Sequence, residues 1–437
     1  METKEALFMA KAEQWGNICN CVNTCALTGA AAFFAGIPGA EIINNGPLWC
    51  YFYALRYLEH AKPDIGKLYH GTQPDNNAVI YGTEKFLLEE LELRKKAATS
   101  SIMLIENSCS VSLIGDDIAG IARKANMPWP VVCFDSGGLL GNFCQGYSLV
   151  GVKCLQELKP PKKIPKKNKR INILGMSLGY FNDDNDLTEI KRLLTLAGYE
   201  IGACIGDGAS VEEIMNLSSA EFNLVMHEEL GLEIAKFLEA GYGMPYVSNG
   251  IPYGLEGTVN WLKSLPGYIP KNEIIIEVEK YRDKLFAATN EMRLVWGELW
   301  YDSIIVSGPS TMAVSLAETL RREWVDTGKL TVILQDIPIK KHTSTEIDTL
   351  LLIAENMEEV EKAFSSFASG LLMGSSSETV VLQRNKHTEK TQICNISYPI
   401  VDELLITDEP FMGLRGAAHM LQRLWNGKIT RKFVDNS

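Results

Sequence analysis

Residues 19–50 read CNCVNTCALTGAAAFFAGIPGAEIINNGPLWC, and this stretch holds four of the ten cysteines in the chain. Small apolar residues and a Gly-Pro turn separate the third cysteine of the stretch, Cys25, from the fourth, Cys50. A further cysteine in a similar setting, Cys109, lies in residues 108–117, SCSVSLIGDD. The organisation of the chain therefore depends on whether these three thiols bind a metal or are ordinary buried side chains.

Length and charge limit the possible functions. The chain has 437 residues, which is too long for one ordinary core, so two or three domains are expected. Its formal net charge is −12. Because nucleic-acid binding domains usually present a basic face, this acidic balance argues against a nucleic-acid partner.

The sequence predicts neither a membrane segment nor a secretion signal. The most apolar run, residues 25–40, contains Pro38 and is shorter than the roughly 20 residues needed to span a bilayer. The first residues, METKEALFMAKAEQWG, mix Lys and Glu before any apolar run. We therefore expect a cytoplasmic protein, whose cysteines are free thiols, metal ligands or catalytic groups rather than disulfides.

Alternating strand and helix patterns predict an α/β fold with three Rossmann-like domains, each with a parallel sheet flanked by helices. The predicted domains are 1–156, which holds the cysteine ligands, 171–290, and 291–437, which ends in a helix. Between the first two lies a Pro-rich basic segment, residues 157–170, ELKPPKKIPKKNKR. This segment is interpreted as a solvated linker because the basic runs are short and the chain is acidic.

Several catalytic motifs are missing or weak. The sequence has no GxxxxGK[ST] loop, so ATP hydrolysis by this chain alone is not expected. GMSLG, residues 175–179, matches GxSxG, but a polar loop follows it where a nucleophile elbow would begin a helix. Ser177 is therefore interpreted as a turn residue after a strand, and a serine or cysteine hydrolase is disfavoured.

Cys25, Cys50 and Cys109 each lie at a predicted junction leading into a helix, where parallel α/β sheets gather their sites. Iron–sulfur clusters need thiolates, usually four for a cubane. For any one of these cysteines the alternative is a small buried hydrophobic residue. We assign that structural role to five others and leave two undecided: Cys133, Cys144, Cys154, Cys204 and Cys394 are structural, and Cys19 and Cys21 are ambiguous.

Three segments, taken together, carry more information than the amino-acid composition does. These are CALTGAAAFFAGIPGAEIINNGPLWC, SCSVSLIGDDIAGIARK and FDSGGLLGNFCQGY. In this order they resemble the nitrogenase component 1 family, which includes the nitrogenase subunits, cofactor-assembly scaffolds and dark-operative tetrapyrrole reductases. The resemblance implies the three-domain fold of that family and a place near its β-type or scaffold branch.

The resemblance also implies a cofactor and partners. Cys25, Cys50 and Cys109 match the positions where family members place the thiolates of a bridging iron–sulfur cluster, either [4Fe-4S] or P-cluster-like. Three ligands from one chain imply a cluster shared across a subunit interface. The partner would be a paralogous subunit, as in a heterotetramer, or a second copy of the chain. The resemblance further implies an ATP-dependent iron–sulfur reductase that docks near these cysteines.

The sequence departs from one branch of the family. In NLVMHEE, residues 223–229, Met226 and His227 stand where the catalytic nitrogenase subunit offers a cysteine to its molybdenum–iron cofactor. No histidine between His387 and His419 matches the imidazole ligand of that subunit. The chain therefore does not resemble the cofactor-holding subunit, although a contact of His227 with another cofactor stays open.

These inferences favour an oxidoreductase subunit that relays electrons through an interfacial cluster to a reducible substrate. The alternatives are a non-catalytic scaffold for assembly of an iron–sulfur or nitrogenase cofactor, and an α/β small-molecule binder that has lost its cluster. The sequence leaves the substrate open among dinitrogen, as in nitrogen fixation, a tetrapyrrole and a carbon–sulfur compound. It also leaves open the number of irons and whether the oligomer contains one or two kinds of chain.

Overall fold

The structure is a computed structural model that describes residues 24–75, 77–97, 100–137, 140–338, 344–385, 390–404 and 406–435. Cys19 and Cys21 lie outside these ranges. Strands β1–β13 are, in order, Ala40–Asn45, Tyr69–Gly71, Ile102–Asn107, Val131–Phe134, Arg170–Leu174, Glu200–Ile205, Phe222–Val225, Tyr246–Val247, Trp300–Gly308, Asp326–Leu334, Thr349–Leu352, Gly370–Gly374 and Thr391–Asn395.

Helices α1–α16 are, in order, Ala26–Ala35, Leu48–Leu58, Ala78–Tyr81, Glu84–Ala97, Cys109–Ile114, Ile118–Ala125, Phe143–Leu158, Asp183–Leu196, Val211–Met215, Glu228–Tyr242, Leu255–Lys263, Asn272–Trp296, Ser310–Thr319, Met357–Ser365, Ser376–Arg384 and Gly413–Asp435. Most agree with the helical patterns of the sequence. The sequence pattern extends the long helix α12 to Trp300, but the helix ends at Trp296 and Trp300 begins β9.

The strands of the described ranges form three sheets in which every pairing is parallel. The strand orders are β2-β1-β3-β4, β6-β5-β7-β8 and β11-β10-β9-β12-β13. Helices connect most successive strands, as parallel pairing favours, whereas the described residues between β10 and β11 contain no helix. The predicted fold class, parallel sheets flanked by helices, is confirmed.

The chain divides into two compact units. One consists of Thr24–Pro252 with Thr258–Val278 and contains the first two sheets; the other contains Tyr253–Gly257, the chain from Glu279 onward and the third sheet. The domain boundaries expected from the sequence stay a prediction.

The cysteine-rich stretch forms α1 and β1, which the sequence patterns do not reveal. Every residue of α1 is buried, and so is every residue of β1. A helix that is apolar on all sides has no amphipathic period, which is why the pattern of residues 26–35 does not identify it. Burial on all sides also requires close neighbours, which the small residues of α1 allow.

Helix α1 crosses α7 with backbone against backbone. A Cβ atom on Gly29 of α1 would lie 1.9 Å from the carbonyl oxygen of Phe143, and one on Gly146 of α7 would lie 1.9 Å from that of Ala26. No side chain fits at either position. The two helices therefore approach as closely as glycines permit, and this crossing fixes where α1 begins.

The first sheet packs against α4 and α6 through a cluster of buried aliphatic side chains. Ile43 of β1 and Ile105 of β3 belong to one cluster with Leu87 of α4 and Ile121 of α6. Burying each such side chain contributes about 1.5–3 kcal/mol. This packing holds the two strands whose ends precede Cys50 and Cys109.

The described helices include none with both the length and the apolar character that a membrane span requires.

The glycine crossing can be tested by adding one methyl group. Gly146→Ala is expected to lower the free energy of unfolding by about 3 kcal/mol, because the new Cβ meets the Ala26 carbonyl. Gly241→Ala is the matched control, since a Cβ on this glycine of α10 meets nothing within 4 Å. The control should be stabilising by up to about 1 kcal/mol. Urea unfolding measures both, and equal midpoints would contradict the crossing.

Candidate functional site

Each of the three predicted cysteine ligands lies at the beginning of a helix. Cys25 is the residue before α1, Cys50 is the third residue of α2 and Cys109 is the first residue of α5. Helices α2 and α5 follow β1 and β3, which are paired and parallel. Because the carboxyl ends of parallel strands meet at one sheet edge, this topology brings Cys50 and Cys109 together.

The electrostatics of Cys50 show that all three thiols are neighbours. Partial burial raises the pKa of Cys50 to about 11, with the thiolate charges of Cys109 and Cys25 contributing to the rise. Cys25 and Cys109 are exposed, while Cys50 is half-buried. The structure therefore brings the predicted residues together at one rim that is open to solvent.

The N-terminus of α2 would by itself favour a thiolate at Cys50. In the chain alone, burial and nearby acidic groups oppose this effect. Burial removes water from the sulfur, and the neighbouring sulfurs and Glu106 add negative charge, so the neutral thiol is favoured. A bound cation or metal cluster would favour the thiolate.

Contacts between the loops hold Cys50 and Cys109 in place. A Cβ on Gly46, which lies between β1 and α2, would be 2.3 Å from Oγ of Ser108, the residue before Cys109. The Ser108 amide donates to the Asn45 carbonyl oxygen at 3.1 Å. The Asn45 side chain donates to Oδ1 of Asn107 at 3.1 Å. The ends of β1 and β3 are therefore joined by direct hydrogen bonds.

Cys25 is held by the start of α7. It forms an isolated antiparallel bridge with Asn142, and the next amide, that of Ala26, donates to the Gly141 carbonyl oxygen at 3.0 Å. Asn142 caps α7 in a capping box with Gln145. The beginning of α7 thus holds Cys25, the residue that precedes α1.

A buried acid lies close to the thiols. Glu106, near the end of β3, is fully buried, and its Oε1 accepts a hydrogen bond of 2.9 Å from the Tyr69 hydroxyl. Burial raises the pKa of Glu106 to about 8, although hydrogen bonding from Tyr69 and Asn44 opposes the rise. Sequence reasoning missed this group. Its signal was a single carboxylate directly after the apolar run IMLI in the strand IMLIEN.

The spacing of the three sulfurs distinguishes between kinds of metal. Among the described residues, the only set of three or more potential ligand atoms lying within 4.8 Å of one another is a set of aspartates, not these cysteines. A zinc ion bound about 2.3 Å from each sulfur would bring the sulfurs to within about 4 Å of one another. A cluster in which each thiolate binds its own iron needs a wider set. The three sulfurs therefore do not form the compact set that a single ion needs, and thiolates are the donors that an iron–sulfur cluster takes.

A sequence profile for nitrogenase component 1 type oxidoreductases matches residues 25–428. The chain belongs to this family. The match begins at Cys25 and includes Cys50 and Cys109. The resemblance inferred from the sequence is confirmed, and with it the assignment of the chain to a family of oxidoreductases.

Two relatives are named as subunits of light-independent protochlorophyllide reductase. The chain is 25% identical to that of Chaetosphaeridium globosum over 385 residues and 24% identical to that of Crocosphaera subtropica over 381 residues. Each alignment covers 80% of this chain and 72% of the relative. Among solved structures, nitrogenase Cp1 at pH 6.5 superposes with a TM-score of 0.77 and 15% identity, over 94% of this chain and 93% of that one. At this identity the superposition shows a shared fold.

Ser177 takes the structural role expected from the sequence. It is fully buried, its hydroxyl accepts a hydrogen bond of 3.2 Å from the Gly179 amide, and its own amide donates to Oδ1 of Asp183 at 2.9 Å. Helix α8 begins only at Asp183. The hydroxyl is therefore part of a turn and is not presented as a nucleophile.

His227 lies in a buried polar group at the start of α10. Its Nδ1 is 3.4 Å from Oε1 of Glu229, and its ring meets the Tyr180 ring edge-on at 4.8 Å. The Tyr180 hydroxyl donates to the same Glu229 oxygen at 3.2 Å and lies 3.4 Å from Sγ of Cys144. Cys144 is buried, as expected for a structural thiol.

The high pKa of Glu106 predicts a pH-dependent stability. Between about pH 4.5 and about 8 the folded chain keeps a proton that the unfolded chain has lost, so stability falls as pH rises through this window. Glu106→Gln removes this contribution. The melting temperature of the variant, relative to wild type, is expected to rise from pH 5 to pH 8, as measured by scanning calorimetry.

The control is Glu212→Gln, which changes an exposed carboxylate of α9. Its melting curve should follow that of the wild type across the same pH range. A Glu106→Gln variant that also follows the wild type would show that the buried carboxyl is not held neutral.

Proposed function

We propose that the chain is a subunit of a two-component oxidoreductase and that Cys25, Cys50 and Cys109 hold an iron–sulfur cluster at a subunit interface. The observation that carries the proposal is the convergence of these thiols at one sheet edge, where the charges of two raise the pKa of the third. Such a cluster, when bound, supplies one-electron redox chemistry.

The proposed partner follows from an incomplete ligand set on an open rim. A cubane usually takes four protein ligands, and this chain brings three thiols together, two of them exposed. The fourth ligand is proposed to come from a paralogous subunit or a second copy. Without such a chain the site would remain open to water.

The surface next to Cys50 suits burial against another chain. Trp49 and Tyr53 of α2 are 64% and 67% exposed, and their rings stack at 6.1 Å. Phe52, 40% exposed, meets Trp49 edge-on. Aromatic residues are enriched at the centres of protein interfaces. We therefore place the subunit contact on this aromatic surface of Trp49, Phe52 and Tyr53.

Two features of the chain suit electron transfer. Glu106 is held neutral by burial, so below about pH 8 it adds no negative charge beside the three thiolates. The sequence lacks a GxxxxGK[ST] loop, so the proposal assigns ATP hydrolysis to a separate reductase component that supplies the electrons. In this division of roles the chain binds the cofactor, shields it and accepts electrons.

Removing one ligand tests the cofactor assignment. Cys109→Ala, purified without oxygen, is expected to lose most of its iron and its brown absorbance, because the remaining donors are too few to retain a cluster. Cys133→Ala is the matched control: Cys133 is half-buried, and burial raises its pKa to about 11 as well. Its iron content should match the wild type.

Equal iron content in the Cys109→Ala variant and the wild type would overturn the ligand assignment. If the Cys109→Ala variant does lose its iron, a turnover assay distinguishes a reductase subunit from the alternative, a cofactor-assembly scaffold. A reductase subunit consumes electrons when supplied with the reductase component and ATP, whereas a scaffold transfers its metal cluster and reduces nothing.

The aromatic surface provides a second test. Trp49→Asp should dissociate the purified assembly toward single chains, because a charge would be buried at the contact without a partner. Val401→Asp is the control, since Val401 is 80% exposed and lies in the unit with the third sheet. Sedimentation velocity measures both. An assembly unchanged by Trp49→Asp would place the subunit contact elsewhere.

A further inference from the structure

Three aspartates meet at the carboxyl ends of two paired strands in the second sheet. Asp183 and Asp184 begin α8, which follows β5, and Asp207 follows β6 after one residue. One carboxylate oxygen from each of the three lies within 4.8 Å of the others. These residues are separate from the three cysteines, and the proposed electron-relay role does not use them.

Two of the carboxylates are buried with no cationic side chain paired to them. Asp183 is 5% exposed and Asp207 is 6% exposed. Neither forms an ion pair with a described residue. Bringing two carboxylates together in a poorly hydrated place costs free energy unless a proton or a cation compensates them.

The Asp207 side chain gives the strongest evidence that a bound species is missing from this cluster. Its Oδ2 is inaccessible to solvent and has no hydrogen-bond partner among the described residues. Oδ2 of Asp183 is likewise buried without a hydrogen-bond partner among the described residues, while Oδ1 of Asp183 accepts a hydrogen bond from the Ser177 amide. Buried polar atoms are nearly always paired, so two unpaired carboxylate oxygens in one cluster indicate a proton or a cation between them.

The positively charged side chains near the cluster do not pair with these carboxylates. Lys191 and Lys62 influence Asp207 through their charge, but neither forms an ion pair with it in the described part of the chain. The Lys62 ammonium instead donates to the Ala35 carbonyl oxygen at 3.1 Å. Burial raises the pKa values of both Asp183 and Asp207, and the charge of a neighbouring aspartate raises each further. The pair is stable either with a shared proton, which lets one carboxyl hydrogen-bond to the other, or with a cation between them.

We propose that Asp183, Asp184 and Asp207 bind a divalent metal cation of the hard, oxygen-preferring class, Mg²⁺ or Ca²⁺. The donors are carboxylate oxygens alone, which suits these ions and not those that prefer sulfur or imidazole. The Asp184 side chain is exposed, which leaves an entry path and room for water ligands. The unpaired oxygens of Asp183 and Asp207 complete the protein's share of the coordination.

The cation would fasten the turn at Asp207 to the beginning of α8. That turn also touches the end of α1. The Gly208 amide donates to the Gly36 carbonyl oxygen at 2.7 Å, and a Cβ on Gly36 would lie 2.1 Å from the Gly206 carbonyl oxygen. The cation site therefore lies at the far end of the helix that begins next to Cys25.

Titration of the metal alone tests the proposal. The full chain, purified without oxygen and exchanged into metal-free buffer, is titrated with MgCl₂ or CaCl₂ in a calorimeter. One saturable site per chain is expected for at least one of the two ions. Saturation should also raise the melting temperature by about 3 °C or more, because the cation binds the folded chain only.

Variants locate the site. Asp207→Asn should abolish both the binding heat and the thermal shift, and Glu239→Gln, which changes an exposed carboxylate of α10, should retain both. Asp184→Asn alters only the exposed ligand, so it should fold normally and weaken binding by roughly tenfold. Iron content, measured in parallel, should be equal in every variant, which separates this test from that of the cysteine site.

Two results would overturn the proposal. One is a wild-type protein that shows neither binding heat nor thermal shift with either ion and is stabilised only on acidification. Asp183 and Asp207 would then be a carboxyl pair that shares a proton. The other is an equal response to the cation in wild type and Asp207→Asn, which would place the ion elsewhere.

Discussion

The contact of α1 with α7 is the constraint on which the site depends. Gly29 and Gly146 allow the two helix backbones to touch, and the same contact aligns Cys25 with Asn142 at the beginning of α7. A buried helix built from small residues can approach its neighbours from several sides. At its other end Gly36 lies against the turn that carries Asp207. The helix thus connects two strand-end sites within one compact unit.

Both sites gather acidic groups close together, and burial favours their protonated forms in the isolated chain. At the first, burial and neighbouring thiolates raise the pKa of Cys50, and the nearby Glu106 is kept neutral. At the second, two buried carboxylates have oxygens without partners among the described residues. Such arrangements cost stability in the isolated chain and are retained where a cation or a metal cluster supplies the opposite charge.

The parallel α/β fold and the meeting of Cys50 and Cys109 could be predicted from residue order and strand topology, whereas the grouping of Cys25 with them followed from the resemblance to the family. Residues 26–35 show no helical period, so α1 could not be predicted, and the raised pKa of Cys50 depends on burial that spacing does not show. Glu106 and Asp207 stand far in sequence from the groups they affect. Their importance comes from tertiary burial, which the sequence indicates only weakly, as for the one carboxylate of β3.

The central claim is that this chain provides three ligands to an iron–sulfur cluster completed by another chain. Anomalous diffraction at the iron edge, from crystals of the oxygen-free assembly, tests it most directly. The account predicts iron within bonding distance of Sγ of Cys25, Cys50 and Cys109, with the remaining ligand from a neighbouring subunit. Iron bound elsewhere, or a complete ligand set within one chain, would contradict it.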